Sequence, residues 1–254
     1  MGNNLKKEIG LGGVFSIAAG AMISSGLFIL PGIAFSLTGP SMILAYFLAG
    51  LLNIPTMMAQ AELSTAMPRS GGTYFTVERS LGAYAGILAG FIAWISITLK
   101  ATFACVGLGT IVQLVFPQSP EWTIKAAAII ACLLFSLLNI LTVKGTGRLQ
   151  NILVAGLFAV LAVYIATGIS KVNPVRFSPF FAGEATAFFT VTGMVFVSFG
   201  GLTKVMDVAE EVRNPGRNIP AGLFLSFGAV NLLYVLVVFV TSGVLAPEKL
   251  SGSL

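Results

Sequence analysis

Histidine is absent from all 254 residues, and cysteine occurs only twice. The first absence removes the commonest metal ligand and the usual general base near neutral pH. Cys105 and Cys132 both sit inside apolar runs with no CxxC or Cys/His spacing. Neither a disulfide framework nor a metal site is therefore expected, and the two thiols read as small, buried apolar residues. Charge is scarce as well: Asp, Glu, Lys and Arg make up 9% of the chain, against about a quarter in a soluble domain. There is no GxSxG and no acidic pair flanking a chain break, so a membrane-embedded enzyme lacks a catalytic constellation and no cofactor is implied.

What the chain has instead is apolar length, with 56% hydrophobic residues. Seven stretches reach the ~20 residues that a ~30 Å hydrocarbon core asks of a helix: about 12–35, 42–66, 84–116, 122–142, 149–170, 186–211 and 220–245. Continuous runs such as "AAAIIACLLFSLLNIL" exclude a barrel, whose strands alternate over about ten residues. The fold class is all-α transmembrane. The longest stretch, 84–116, would measure ~50 Å as a helix and must tilt or project from the bilayer. The basic N-terminus precedes an apolar run too long for a signal peptide, so it is expected to stay in the mature protein. Lys6 stands where a myristoylation motif wants Ser or Thr.

The formal net charge of +5 is explained by topology rather than by nucleic acid. A cytoplasmic N-terminus puts Lys6, Lys7, Arg69, Arg79, Lys144, Arg148, Arg213 and Arg217 inside, and Lys125, Lys171, Arg176 and Lys249 outside. That asymmetry obeys the positive-inside rule. A multi-pass protein of the plasma membrane is expected, its N-terminus cytoplasmic.

Short connections carry turn chemistry at 37–41, 116–121 and 143–147. Two are longer. Residues 67–84, "MPRSGGTYFTVERSLGAY", read either as a short interfacial helix or as an ordered loop. Residues 171–184, "KVNPVRFSPFFAGE", read either as an apolar lid or as a simple connector.

Two stretches interrupt their helices. Residues 20–26, "GAMISSG", place Ser24 and Ser25 between Gly20 and Gly26 in the first apolar run; "VSFGGLTK" places Gly200 and Gly201 in the sixth. Glycine leaves helical geometry cheaply, and unwinding exposes amides on one side of the break and carbonyls on the other. The amides suit a carboxylate, and the carbonyls suit an ammonium or Na⁺. A zwitterionic amino acid carries both groups on one carbon. The alternative is a small-residue face that lets a neighbouring helix approach. Interruptions at matching positions, five helices apart, are what an inverted repeat predicts.

Three segments, in order, carry a resemblance: "ISSGLFILPG" (23–32), "AELSTAMPRSGGTYFTVERSLG" (61–82) and "AEEVRNPGRNIP" (209–220). With them the chain resembles the amino acid permeases of the amino acid-polyamine-organocation superfamily. The resemblance implies a leucine-transporter-like inverted-repeat bundle, of which about seven of ten or more helices are present. Residues 1–170 would be the first five-helix repeat with broken helix 1; residues 171–254 would open the second with broken helix 6 and helix 7, the remainder absent. A truncated, non-transporting fragment or a structural or regulatory subunit is the alternative.

The resemblance also assigns roles. The Ser24, Ser25 and Gly26 amides would bind a substrate carboxylate. Carbonyls of Ala21, Met22, Ile23, Phe196 and Val197 would hold the ammonium, with Gly200 beside them and Phe199 or Phe196 as the gate. Ser24 stands where the family usually has glycine, and Leu157 where some proton-coupled members have lysine.

Charges inside the helices complete the reading. Lys100, mid-helix in "ISITLKATFACVG", would cost about 2.5–3.5 kcal/mol to insert uncompensated. It is either a coupling cation or a structural lysine held by carbonyls. Lys204 and Asp207, three residues apart, can pair on one face. With Glu62 and Glu210 they form either a cytoplasmic gate or a solvated interfacial cluster. The leading expectation is a secondary transporter of amino acids, neutral ones favoured, working by alternating access with H⁺ or Na⁺. A polyamine or cationic amino acid carrier is the runner-up.

Overall fold

The computed structural model describes residues 7–69, 71–116, 120–141 and 146–245. The connections expected at 116–121 and 143–147 lie partly outside them, as do Lys6, Lys144, Lys249 and the side chains of Ser25 and Arg148 wholly. The helices in chain order are α1 (Leu11–Met22), α2 (Ser25–Phe28), α3 (Leu30–Thr38), α4 (Met42–Ala66), α5 (Gly72–Leu81) and α6 (Ala83–Val115). They continue as α7 (Glu121–Leu141), α8 (Thr146–Ile169), α9 (Ala185–Ser198), α10 (Lys204–Asp207) and α11 (Pro215–Val244). No strand occurs among the described residues, only an isolated bridge between Ile9 and Val212. The all-α reading holds.

Among the described residues, five helical stretches are long and apolar enough to cross a membrane: Leu30–Ala66, Ala83–Gly109, Leu149–Ile169, Ala185–Asp207 and Pro215–Val244. Leu11–Met22 and Trp122–Leu137 are shorter apolar helices. The first expected span is thus split, and its second part runs on toward the next, with Gly39 at φ 62° between α3 and α4.

Residues 73–149 form one compact unit, and 1–72 with 150–254 form another. In the smaller unit the 67–84 connection resolves into α5, so the short-helix reading is the one observed. Gly82, at φ 93°, ends α5. Gly90 then lets α6 approach the Tyr74 ring, 3.1 Å from where a Cβ would stand. Tyr74 hydrogen-bonds Glu78, whose carboxylate pushes the phenol above its usual value. Many apolar side chains of α6 and α7 face outward, Trp94, Leu99 and Leu133 among them. That surface suits lipid, not water.

In the larger unit α4 and α11 run antiparallel. Tyr46 meets Tyr234 edge to face, with ring centroids 5.8 Å apart, and Gly50 meets Asn231. Helix α1 lies on α11, where a Cβ on Gly222 would stand 2.5 Å from Val14 Cγ1. The 171–184 connection is anchored rather than free. Arg176 donates to the Gly243 and Val244 carbonyls at the end of α11, and Phe177 stacks on Phe239 at 5.2 Å.

The segment 209–220 has a definite local logic. The Ile9 amide donates to the Glu211 carbonyl at 3.0 Å, and the Arg213 amide donates to the Ile9 carbonyl at 2.8 Å. Asn214 at φ 46° then redirects the chain, and Pro215 starts α11, where its missing N–H is harmless.

Both breaks exist, but glycine does not make the first one. Helix α1 ends at Met22 and the extended residue is Ile23, at φ −74° and ψ 97°. Gly20 stays helical and Gly26 lies within α2. The sixth stretch passes from α9 into a 3-10 turn, Phe199–Thr203, before α10. The glycines serve close approach instead. A Cβ on Gly201 would overlap the backbone of Ala21 and Met22, and one on Gly26 would overlap Ser198 Oγ. Gly26 is therefore closely packed, as the packing alternative has it, alongside the break rather than in place of it, and Gly201 plays the same part on the sixth stretch.

A Cβ on Gly200, by contrast, meets nothing within 4 Å. Gly201→Ala should lower the thermal unfolding midpoint of the detergent-solubilised protein by several degrees, since overpacking costs about 1–3 kcal/mol and backbone yields less than side chains. Gly200→Ala should leave the midpoint nearly unchanged; equal effects would contradict the contact.

Candidate functional site

The two breaks face each other across the Gly201 contact. On the first, the Ile23 amide closes the α1 ladder by donating to the Ala19 carbonyl at 2.9 Å. The next bond runs from the Leu27 amide to the Ser24 carbonyl at 3.1 Å. The amides of Ser24, Ser25 and Gly26 fall between these two bonds, at the start of α2.

Three side chains hold the breaks in shape, and the sequence reading named none of them. Tyr234, fully buried on α11, donates to the Met22 carbonyl at 2.8 Å. The Ser24 amide faces the same hydroxyl, so one phenol spans the interruption. Tyr46, fully buried on α4, donates to the Gly26 carbonyl at 2.8 Å. Asn53, one of α4's buried polar residues, donates to the Ala49 carbonyl at 3.0 Å and to the Phe196 carbonyl at 3.2 Å. In an apolar interior each such carbonyl needs a donor. The available signal was buried-type polar residues, Tyr46, Asn53 and Tyr234, standing alone in apolar helices.

The expected site residues separate into groups. Ala21, Met22, Ile23, Ser24 and Gly26 converge with Phe196 and Phe199 around the two breaks, and Met22, Ile23 and Phe199 are buried. Ser24 Oγ is buried and makes no hydrogen bond among the described residues, leaving a hydroxyl for a bound group. Phe199 is locked, with ring centroids 5.5 Å from Phe227 and 5.3 Å from Tyr234. Phe196 is only partly buried, so of the two gate candidates it is the one with room to move. Val197, 69% exposed, points away from the core, as does Gly200.

Lys204 and Asp207 form the expected ion pair at 3.0 Å. The Asp207 carboxylate also lies against Gly72, which at φ 54° presents no side chain to it. Glu62 is exposed on α4, and Glu210 is partly buried in the turn after α10. Lys100 sits mid-way along α6, partly buried.

The arrangement brings the Ser25 and Gly26 amides, the Ser24 amide that faces the Tyr234 hydroxyl, and several carbonyls within one small apolar region. Chemically it can receive a small molecule bearing an anionic and a cationic group close together.

The chain matches the amino acid permease family over residues 9–254. It is similar to the branched-chain amino acid permease BcaP of Bacillus subtilis (strain 168), 25% identical over 98% of this chain and 57% of that protein. It is similar to the mouse (Mus musculus) large neutral amino acids transporter small subunit 2, 30% identical over 98% of this chain and 50% of that protein. The methylthioribose transporter of Bacillus subtilis (strain 168) is 26% identical over 92% of this chain and 54% of that protein. The chain spans about half the length of the curated relatives it matches.

Tyr234→Phe keeps the ring but removes the donor to Met22. It should cost about 0.5–1.5 kcal/mol, read as a lower unfolding midpoint, and Tyr46→Phe should act alike. If both variants melt with the wild type, these hydroxyls do not hold the breaks.

Proposed function

The chain belongs to the amino acid permease family, within the amino acid-polyamine-organocation superfamily, and on that premise we propose that it carries a neutral amino acid across the plasma membrane. The observation that carries this reading is the close apposition of the two interrupted stretches, residues 21–26 and 196–203, around the Gly201 contact. The amides of Ser24, Ser25 and Gly26 take the carboxylate. Carbonyls of Ala21, Met22, Ile23, Phe196 and Val197 take the ammonium, and the Ser24 hydroxyl adds one contact. Phe196 closes over the solute.

Neutral selectivity is supported by the apolar surroundings of Ile23 and Phe199 and by the names of two relatives, branched-chain and large neutral amino acids. The methylthioribose relative makes a non-amino-acid solute an outcome the assay must include. Transport proceeds by alternating access between two inverted repeats, 1–170 and 171 onward, with the N-terminus cytoplasmic as the lysine and arginine distribution favours. The driving ion is H⁺ or Na⁺, with Lys100 as the coupling group. Glu62, Lys204, Asp207 and Glu210 form the cytoplasmic gate.

Purified full chain in proteoliposomes should take up leucine or isoleucine saturably, with unlabelled neutral amino acids competing and polyamines not. Uptake of none of the zwitterions tested, with competition by polyamines or methylthioribose, would overturn the assignment. Lys100→Ala should abolish the dependence of uptake on an imposed ion gradient; an unaltered dependence removes Lys100 from coupling.

A further inference from the structure

Cys105 on α6 and Cys132 on α7 are hydrogen-bonded thiol to thiol, although nothing in their sequence spacing pairs them. One turn further along α6, Gly109 lets α7 come close. A Cβ there would overlap Ile124 Cγ2 and stand 2.9 Å from the Ile124 carbonyl oxygen. Positions 105 and 109 share a face of α6, so the approach that joins the helices also joins the sulfurs. Both helices belong to the smaller unit, residues 73–149.

The expectation of two buried apolar residues is corrected here. Cys132 is exposed and Cys105 half-buried behind it. Cys132 lies about 15 Å from either end of α7, and its neighbours Ile129 and Leu133 are exposed as well. Such a surface suits lipid. Glutathione, a charged molecule, does not enter hydrocarbon. An oxidant that partitions into the bilayer reaches Cys132 first.

We propose that Cys105 and Cys132 are a reversible oxidation site whose oxidant is a lipid hydroperoxide, and that the resulting disulfide staples α6 to α7. The Cys132 sulfur attacks the terminal peroxide oxygen and the O–O bond breaks. The thiol proton passes to the departing alkoxide, so a lipid alcohol leaves and Cys132 becomes a sulfenic acid. The Cys105 sulfur then attacks the Cys132 sulfur; the S–O bond breaks, and the hydroxide takes the Cys105 proton and leaves as water. Two thiols lose two electrons in all, and one hydroperoxide is reduced to an alcohol and water.

The pairing assists both steps. Attack on peroxide needs negative charge on sulfur, and an S–H donated by the neighbouring thiol supports that charge. Sulfurs already in contact reach the S–S bond length of about 2 Å by side-chain rotation, without moving a helix. The site is separate from the two breaks and independent of the solute carried.

The test uses the full chain in liposomes treated with cumene hydroperoxide, which dissolves in the bilayer. The protein is then denatured and labelled with a maleimide-polyethylene glycol that retards it once per free thiol. Untreated protein should take two labels, one for each cysteine; treated protein should take none, and dithiothreitol should restore both. Peptide mass spectrometry without reductant should find the Cys105 and Cys132 peptides joined. Cys105→Ser should stop at a sulfenic acid on Cys132 that dimedone traps, with wild type trapping about a tenth as much or less. Both labels retained by treated wild type would overturn the site, and labels lost without joined peptides would overturn the staple. Glutathione disulfide, confined to water, should leave both labels in place; equal loss with it would overturn the lipid-borne oxidant.

Discussion

Gly201 lies directly on the backbone of Ala21 and Met22, with no room for even a methyl group between the two chains. Everything else about the site depends on this approach. It brings the end of α1 and the 3-10 turn after α9 to the same depth, so that two interrupted helices share one small region of exposed main-chain polarity. Gly26 repeats the device one step further, against Ser198 and Tyr234. A helix pair separated by side chains would hold its breaks too far apart for a molecule the size of an amino acid to touch both.

Such a contact has an electrostatic consequence. A membrane interior offers no water to the carbonyls that unwinding frees, and each one left alone is costly. The protein answers with donors placed on helices that do not break: Tyr234 on α11 for Met22, Tyr46 on α4 for Gly26, and Asn53 on α4 for Phe196. The packed pair α4 and α11 therefore acts as the frame against which the broken helices are held. The Phe196 carbonyl also accepts from the Phe199 amide, so its place at the second break is fixed from two sides.

The sequence revealed the existence and location of both interruptions, because serine and glycine clusters are conspicuous in apolar runs. It misattributed their cause. Glycine's permissiveness suggested that Gly20 and Gly26 unwind the chain, whereas Ile23 is the extended residue and the glycines provide clearance. That distinction is tertiary: it depends on which neighbour arrives at a glycine, and spacing along one helix does not contain it. The same reason hid Tyr46, Asn53 and Tyr234, whose partners lie 20 to 212 residues away in the chain. It also hid the difference between Phe196 and Phe199, neighbours in sequence of which one is locked in an aromatic cluster and the other is not. Local features did transfer: the bounds of α4, the length of α6 and the Lys204–Asp207 pair follow from apolar run length and three-residue spacing.

The central claim is that the paired breaks are one solute site with an anionic and a cationic half. An electron cryo-microscopy structure of the full chain with bound leucine measures this most directly. The account predicts the carboxylate at the Ser24, Ser25 and Gly26 amides and the ammonium toward the Met22 and Phe196 carbonyls, with the side chain beside Ile23. Leucine density away from both breaks, or bound with its carboxylate and ammonium reversed, would contradict it.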